Sequence, residues 1–252
     1  MAQDYTLPRG KLYFDKFQPG TTIKTGERYI GHTNEVVGTT ETENIDHYNS
    51  DEADVPKDKS VRLRTDRMLN FITDDISFDN LRNFFTGSGT TLTQLTGAGL
   101  TESITVKQGR FYQVGATTAN PTGDRDITIN TLEVATVAMT LGVDYTYDAE
   151  LGRIYIIPDG GIADDDVIDI DYDRAATTRS QIVAAGETIE GALHYVADNK
   201  AGTDRDYYWP YVSMSPDGNI NLKGEEWQQI GFTCEVLKLG SLGTVYIDGR
   251  PQ

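Results

Sequence analysis

The chain has 252 residues and carries 39 Asp and Glu against 22 Lys and Arg, which gives a formal net charge of -17. An acid surplus of this size repels phosphate backbones and anionic membrane surfaces, so it argues against a protein that grips nucleic acid. Cys234 is the single cysteine, which excludes an internal disulfide, and no apolar run reaches the roughly 18 residues of a membrane span. Residues 1–20 lack the apolar region of a signal peptide, so we expect synthesis and folding in the cytosol.

A polar, acidic segment follows the first predicted strand. That strand runs from Gly26 to Val37, and the segment from Gly38 to Lys59 has no apolar periodicity. Its acids are Glu41, Glu43, Asp46, Asp51, Glu52 and Asp54. A connection of this length without regular structure is typical of a functional loop or of a segment that orders on binding, although a solvated surface loop fits the pattern equally well.

A half-buried strand and one amphipathic helix come next. Apolar and polar residues alternate from Val61 to Ile72, with Leu69 and Phe71 on the apolar side, which predicts a strand. The following segment, Asp75 to Gly87, places three apolar residues on one helical face: Phe78, Leu81 and Phe85. We expect this stripe to pack on a sheet, with Asp75 or Ser77 capping the first turn and Gly87 in the left-handed conformation after the last.

The middle of the chain changes character. The residues from Gly87 to Gly99 are rich in Gly, Ser and Thr, which predicts a loop, and they lack the Gly-Lys-Ser/Thr ending of a phosphate-binding loop. Short strands separated by Gly and Asp turns follow: Ile127 to Met139, Val143 to Tyr147, Arg153 to Ile157 and Val167 to Tyr172. This pattern predicts a small β-sandwich at residues 114–175, inserted into a discontinuous domain of residues 1–113 and 176–252.

Acidic residues cluster at the end of this insert. In the strand Val167 to Tyr172, the aspartates alternate with apolar residues, so Asp169, Asp171 and Asp173 form a row on the solvated face. The acids that could supply oxygen ligands to calcium are Asp159, Asp164, Asp165, Asp166 and Asp169. Their spacing from Asp159 to Asp173 fits no EF-hand, and a solvated acidic face is the commoner explanation.

No residue pattern indicates catalysis. The histidines His32, His47 and His194 have no metal-ligand spacing, and His194 is best interpreted as a hydrogen-bonded strand residue. Cys234 has the same parity as Ile230 and Phe232, which predicts an inert core thiol. The sequence therefore predicts a protein that is not an enzyme and needs no cofactor and no metal.

The C-terminal third contains the most specific pattern. Gln181 to Val196 predicts two strands around a Gly-centred break, and Pro210 marks a bulge or an edge in the strand that contains it. Pro216-Asp217-Gly218 predicts a turn, and a strand from Trp227 to Lys238 follows it. A last strand is predicted from Thr244 to Asp248.

Three of these pieces together resemble a known family. They are the strand and helix ending in DDISFDNLRNFFTG, the segment YYWPYVSMSPDGNINLKGEEWQQIGFTCEVLK, and the acidic loop between early strands. In this arrangement the chain is similar to the major tail tube proteins of long-tailed, non-contractile bacteriophages. The insert at residues 114–175 lies outside the resemblance and is expected to decorate the outer surface.

The resemblance implies a mainly β fold of two packed antiparallel sheets, a β-sandwich or half-barrel, with one flanking helix. It implies hexameric rings that stack into a hollow tube for DNA ejection, with an acidic bore to which no individual residue is assigned. The acids Glu41, Glu43, Asp46, Asp51, Glu52 and Asp54 would form an inter-ring stacking loop that orders on the neighbouring ring. The implied partners are the protein itself and the tape measure, tail terminator and tail-tip proteins, and the implied location is the virion.

Two other functions stay open on the sequence alone. The middle insert by itself would suit an extracellular carbohydrate- or calcium-binding β module. A glycosidase with two catalytic carboxylates is the other alternative, but the abundance of acids makes any chosen pair uninformative.

Overall fold

The protein was analysed as a computed structural model that describes residues 5–51 and 53–251. Across those residues the chain is mainly β, as predicted, with a single helix. In chain order the elements are β1 (Gly10–Lys16), β2 (Arg28–Tyr29), β3 (Thr33–Tyr48), β4 (Lys57–Thr73), α1 (Phe78–Phe84), β5 (Gly87–Gln94), β6 (Gly97–Thr105), β7 (Phe111–Gln113), β8 (Ile127–Val134), β9 (Val137–Ala138), β10 (Tyr145–Asp148), β11 (Arg153–Ile156), β12 (Val167–Arg174), β13 (Thr177–Ala184), β14 (Ile189–Ala197), β15 (Arg205–Asp217), β16 (Ile230–Val236) and β17 (Tyr246–Gly249).

The chain forms two compact units, and the middle unit interrupts the main unit. The main unit contains the described residues up to 89 and those from 182 onward, and the middle unit contains residues 90–181. The sequence placed the insert at 114–175, a range that lies inside the middle unit and ends close to its later edge. The earlier edge moves because β6 pairs along the whole of β12 and so belongs to the middle unit. The predicted loop from Gly87 to Gly99 is also wrong, because it contains β5 and the start of β6.

The main unit is built on one curled antiparallel sheet. Its strand order is β2-β1-β14-β15-β16-β4-β3, with β17 paired to β15. β2 and β3 stand at opposite ends of this order, yet only residues 30–32 separate them in the chain. One continuous segment therefore pairs first with β1 and then with β4, which brings the two ends of the sheet together around one core. The sequence predicted a β-sandwich or half-barrel of antiparallel sheets, and this single curled sheet is of the second kind.

Alternating side chains from this sheet fill the core of the main unit. Phe71 of β4 and Phe232 of β16 are register partners, and their rings stack with centroids 5.1 Å apart. Cys234 lies next to them, opposite Leu69, and is fully buried, which confirms the predicted core thiol. Burial raises the pKa of the Cys234 thiol, so the thiol stays protonated and unreactive. The register shift opposite Pro210 confirms the predicted bulge in β15.

Helix α1 packs on the sheet through a different face from the one predicted. The sequence assigned the packing to Phe78, Leu81 and Phe85. The buried residues are instead Asn80, Asn83 and Phe84, while Phe78 and Phe85 are exposed and Leu81 is half-buried. The side-chain amide of Asn80 donates to the carbonyl oxygens of Ile30 at 2.6 Å and Asp75 at 2.9 Å. In a helix of only seven residues, satisfying these backbone groups decides which face turns inward.

The ends of α1 also differ from the prediction. Ser77, and not Asp75, occupies the N-cap position, but the Ser77 hydroxyl makes no side-chain hydrogen bond to the first turn. At the other end the left-handed residue is Thr86, with φ of 45°, and Gly87 already begins β5. The predicted helix from Asp75 to Gly87 is therefore shorter at both ends.

The middle unit contains two antiparallel sheets that share one core. The strand orders are β10-β11-β7 and β6-β12-β8-β9. Ile168, Ile170 and Tyr172 of β12 are buried in this core, as the alternation predicted. Asp124 is also buried, and both of its carboxylate oxygens accept hydrogen bonds from Arg174 Nη1 at 2.8 and 2.9 Å. The Tyr172 hydroxyl donates to the same carboxylate at 2.9 Å, so this buried charge is fully paired.

Candidate assembly surface

The predicted acidic loop is a β-hairpin arm. β3 and β4 pair along almost their whole length, from Thr33 opposite Thr73 to Tyr48 opposite Lys57. β16 pairs with β4 only as far as Met68. From Thr40 opposite Arg67 outward, the two strands pair only with each other among the described strands. We call residues 40–67 the hairpin arm, and at roughly 3.3 Å per residue its paired part reaches about 27 Å from the sheet.

The unstructured-loop prediction is therefore wrong, and its acids have separate positions. Glu41, Glu43 and Asp46 lie on β3, and Asp51 and Asp54 lie in the turn between the strands. Glu52 falls outside the described residues. Both faces of the arm are solvated, so neither face needs a regular apolar stripe. The sequence of the arm therefore shows no apolar periodicity, and the prediction took it for a loop.

Apolar side chains project from the distal half of the arm without cover from the main unit. Ile45 and Val61 are direct cross-strand partners, and 58% and 46% of their surfaces are exposed. Tyr48, Val55 and Leu63 are also exposed. A two-stranded ribbon is marginally stable by itself in water. An arm with unpaired outer edges and exposed apolar side chains is therefore a surface suited to docking on another molecule.

The two strands of the arm differ in charge. The β3 half contributes acids, whereas the β4 half contributes a run of cations: Lys57, Lys59, Arg62, Arg64 and Arg67. Two cross-strand ion pairs join the halves, Arg64–Glu43 at 2.7 Å and Lys57–Asp46 at 2.5 Å. The hydrogen bond from the Lys57 ammonium lowers the pKa of Asp46. Residues 57–67 carry these five cations against Asp58 and Asp66, so this half of the arm is locally basic in a chain with a net charge of -17 and can contact an acidic protein surface.

Several acids of the middle unit accept hydrogen bonds from neighbouring groups of the chain. Asp164 accepts a hydrogen bond from the backbone N–H of Gln108 at 2.9 Å, and Asp166 accepts one from that of Ala163 at 2.7 Å. Asp169 accepts a hydrogen bond from the Ser103 hydroxyl at 2.5 Å. Asp159 and Asp165 lie in the turns before β12 with positive φ. Within residues 5–51 and 53–251, no group of three or more acidic, histidine or cysteine side chains is arranged to hold a metal ion.

The histidines do not come together. Each contacts a carboxylate of its own, in the pairs His32–Asp74, His47–Asp58 and His194–Glu27. His194 lies on β14, its ring is nearly perpendicular to that of Tyr208, and its contact with Glu27 agrees with its interpretation as a hydrogen-bonded strand residue.

A second exposed apolar feature, which the sequence analysis missed, is the loop at residues 218–229 between β15 and β16. Trp227 is 92% exposed and Leu222 is 82% exposed. The signal was available in the sequence, since a tryptophan among Gly, Asn, Lys and Glu residues has no apolar pattern that would bury it. The sequence analysis instead placed Trp227 at the start of a strand, and β16 begins three residues later at Ile230.

A pocket of about 400 Å³ lies between α1 and the end of β1 in the main unit. We call it the α1 pocket. Its polar side chains include Lys16, Arg28 and Arg82 together with Asp79 and Glu187, and its apolar lining includes Phe14, Phe17 and Pro19.

Comparison of the chain with models of protein families identifies the family to which it belongs. A family model with the description Protein of unknown function UCP028589 matches residues 5–240. The chain belongs to this family. The matched range runs through both the main unit and the middle unit. No curated protein matches the chain. Among the described residues, no helix is long and apolar enough to cross a membrane.

Proposed function

We propose that this protein is a structural subunit that assembles with copies of itself into the hollow tail tube of a long-tailed, non-contractile bacteriophage. The observation that carries the proposal is the hairpin arm, which leaves the sheet with unpaired edges and exposed apolar side chains. The resemblance of the helix and C-terminal segments to tail tube proteins supplies the identity of the assembly. The protein acts by polymerising and performs no catalysis.

In this proposal the arm forms the contact between successive rings. It leaves β4 beyond Met68, at the end of the strand away from Thr73 and α1. A projection at one end that docks on a different surface of the next copy makes a head-to-tail contact. Such contacts build a closed ring if the rotation closes and an open-ended filament if it does not. Docking would bury the Ile45–Val61 pair and place the cations of β4 against an acidic neighbour.

The acid surplus has two roles in the proposed tube. Free subunits with a net charge of -17 repel one another at long range, so growth is restricted to sites where the arm finds its docking surface. An acidic bore also repels the phosphate backbone of the passing DNA, because both are negatively charged. This repulsion acts within the Debye length, which is about 8 Å at physiological salt. The partners at the ends of the tube would be the tape measure, tail terminator and tail-tip proteins of the virion.

The test is to shorten the arm and observe assembly. Replacing residues 41–66 with an Asn-Gly turn keeps Thr40 opposite Arg67 and leaves the core of the main unit intact. We expect the natural chain to form tubes with a central channel in negative-stain micrographs of concentrated protein. The shortened chain should remain a folded monomer with an unchanged unfolding midpoint and should form no tubes. Normal tubes from the shortened chain, or only monomers from the natural chain, would refute the proposal.

A further inference from the structure

The loop at residues 218–229, which we call the Trp227 loop, holds apolar side chains in the solvent. Trp227 is 92% exposed and Leu222 is 82% exposed. The side-chain amide of Gln228 donates to the carbonyl oxygen of Asn221 at 2.8 Å, which joins the two sides of the loop next to these two apolar residues. The loop therefore presents a surface whose conformation is already set, and binding to such a surface costs little conformational entropy.

Acidic side chains border the tryptophan. Glu225 and Glu226 immediately precede Trp227, and both are exposed. Neither glutamate forms an ion pair among the described residues. Residues 217–229 carry three acids and one lysine, so the surroundings of the indole ring are locally acidic. Tryptophan is also a residue that contributes much of the binding energy at protein interfaces.

One face of the hairpin arm has the complementary chemistry. Val61 and Lys59 are two residues apart on β4, so they share a face of the ribbon with Ile45, the cross-strand partner of Val61. Lys59 is exposed and forms no ion pair with any acid among the described residues. This face therefore combines an uncovered apolar pair with an ammonium group, whereas the Trp227 loop combines an uncovered aromatic ring with carboxylates.

We infer that the hairpin arm of one copy docks on the Trp227 loop of the next copy. In this contact the Ile45–Val61 pair packs against the indole ring, and the Lys59 ammonium group faces the two glutamates. Opposite charges select this surface from the many acidic surfaces that carry no apolar group, because charge and apolar contact are satisfied together only here. The inference rests on the proposed self-assembly and deepens it, since it names the surface that receives the arm.

The two surfaces lie at opposite ends of neighbouring strands. Ile230, the residue after the loop, pairs with Thr73 at one end of β4, whereas the arm leaves β4 beyond Met68 and extends away from Thr73. β16 begins at the loop and pairs directly with β4, and paired strands are about 4.8 Å apart. A copy displaced along the strand direction therefore brings its Trp227 loop to the arm with little sideways shift. Within one copy the arm extends away from its own loop.

Disulfide trapping between two separately produced chains tests the contact. The first chain carries His47→Cys, which places a thiol on the arm opposite Lys59. The second chain has its own arm replaced by the Asn-Gly turn, so that it can only receive an arm, and it carries Glu225→Cys. Cys234 is buried and does not interfere. We expect mild oxidation of the mixture to yield a two-chain product, and adding Trp227→Ala to the second chain should lower its yield at least about tenfold.

Two matched variants fix the position and the charge of the contact. Asp248→Cys in place of Glu225→Cys puts an exposed thiol on β17, which pairs with the end of β15 away from the Trp227 loop, and it should give only background product. Glu226→Lys in the second chain should lower the yield about tenfold. Adding Lys59→Glu to the first chain should then restore the yield to within about threefold, because opposite charges face each other again. Failure of this rescue would overturn the charge pairing.

The outcomes separate this inference from the proposed function. Tubes from the natural chain without the trapped product, or a yield that Trp227→Ala leaves unchanged, would overturn the contact between arm and loop and leave the tube standing. Equal yields from Glu225→Cys and Asp248→Cys would show that the arm does not select the Trp227 loop, and would also overturn the inference. A Trp227-dependent product from a chain that never builds tubes would support the contact and refute the tail tube.

Discussion

The exposed pair Ile45 and Val61 provides a quantitative test of the hairpin arm. Fully burying a side chain of this size is worth about 1.5–3 kcal/mol, and these two are 58% and 46% exposed in the single copy. Docking of the arm therefore gains about 1 kcal/mol from each of them. Ile45→Ala with Val61→Ala should weaken each arm contact by about 2 kcal/mol, which corresponds to a roughly 30-fold higher critical concentration for assembly.

The measurement is the concentration of protein left in the supernatant after polymers are pelleted. The control is Thr42→Ala with Thr65→Ala, the cross-strand pair of the arm that replaces hydroxyls and leaves Ile45 and Val61 in place. We expect the control to keep the critical concentration of the natural chain within about threefold. Unfolding midpoints of both variants should match the natural chain, because the arm lies outside the core. An unchanged critical concentration for the Ile45 and Val61 variant would refute the docking role of the arm.

Two further predictions concern the middle unit. Asp124→Ala should lower its free energy of unfolding by about 3 kcal/mol in urea titrations, because it leaves Arg174 without its buried partner, whereas Glu150→Ala, at an exposed position, should change it by about 0.5 kcal/mol or less. Backbone N–H groups donate to Asp144 and lower its pKa in the folded state, so its stabilisation is complete above its unfolded pKa of about 3.9 and is lost as the pH falls through the lower folded value. Asp144→Asn should therefore reduce the loss of stability between pH 5 and about pH 2.5, and an unchanged acid limb would contradict this reasoning.

The sequence predicted those strands whose one face is buried and whose other face is solvated. β12 alternates between buried Ile168 and Ile170 and solvated aspartates, and β16 alternates through Phe232 and Cys234. In such strands every second residue must be apolar, so the alternation of apolar and polar residues in the sequence shows which face is buried. The proline bulge at Pro210 was predictable for a similarly local reason, because proline cannot donate to a strand pair.

The hairpin arm was not predictable in this way because its two strands are held by their pairing with each other and not by the burial of one face. Neither face of the arm is buried, so β3 shows no alternation, and its acids are typical of a loop. The inward face of α1 was equally hidden, since Asn80 faces the core and donates to the carbonyl oxygen of Ile30, which is 50 residues away in sequence. Both errors arise where a backbone group far away in sequence decides the structure.

The charge distribution reconciles a strongly acidic subunit with self-assembly. A net charge of -17 opposes contact between any two copies, so non-specific association is disfavoured at every surface that carries the average charge. The β4 half of the arm is a place where cations accumulate instead, since residues 57–67 carry five cations and two acids. Apolar side chains, among them Ile45 and Val61, accompany these cations on the arm. In the proposed tube, attraction is therefore confined to geometries in which the arm meets its docking surface, which is the property that a regular polymer requires.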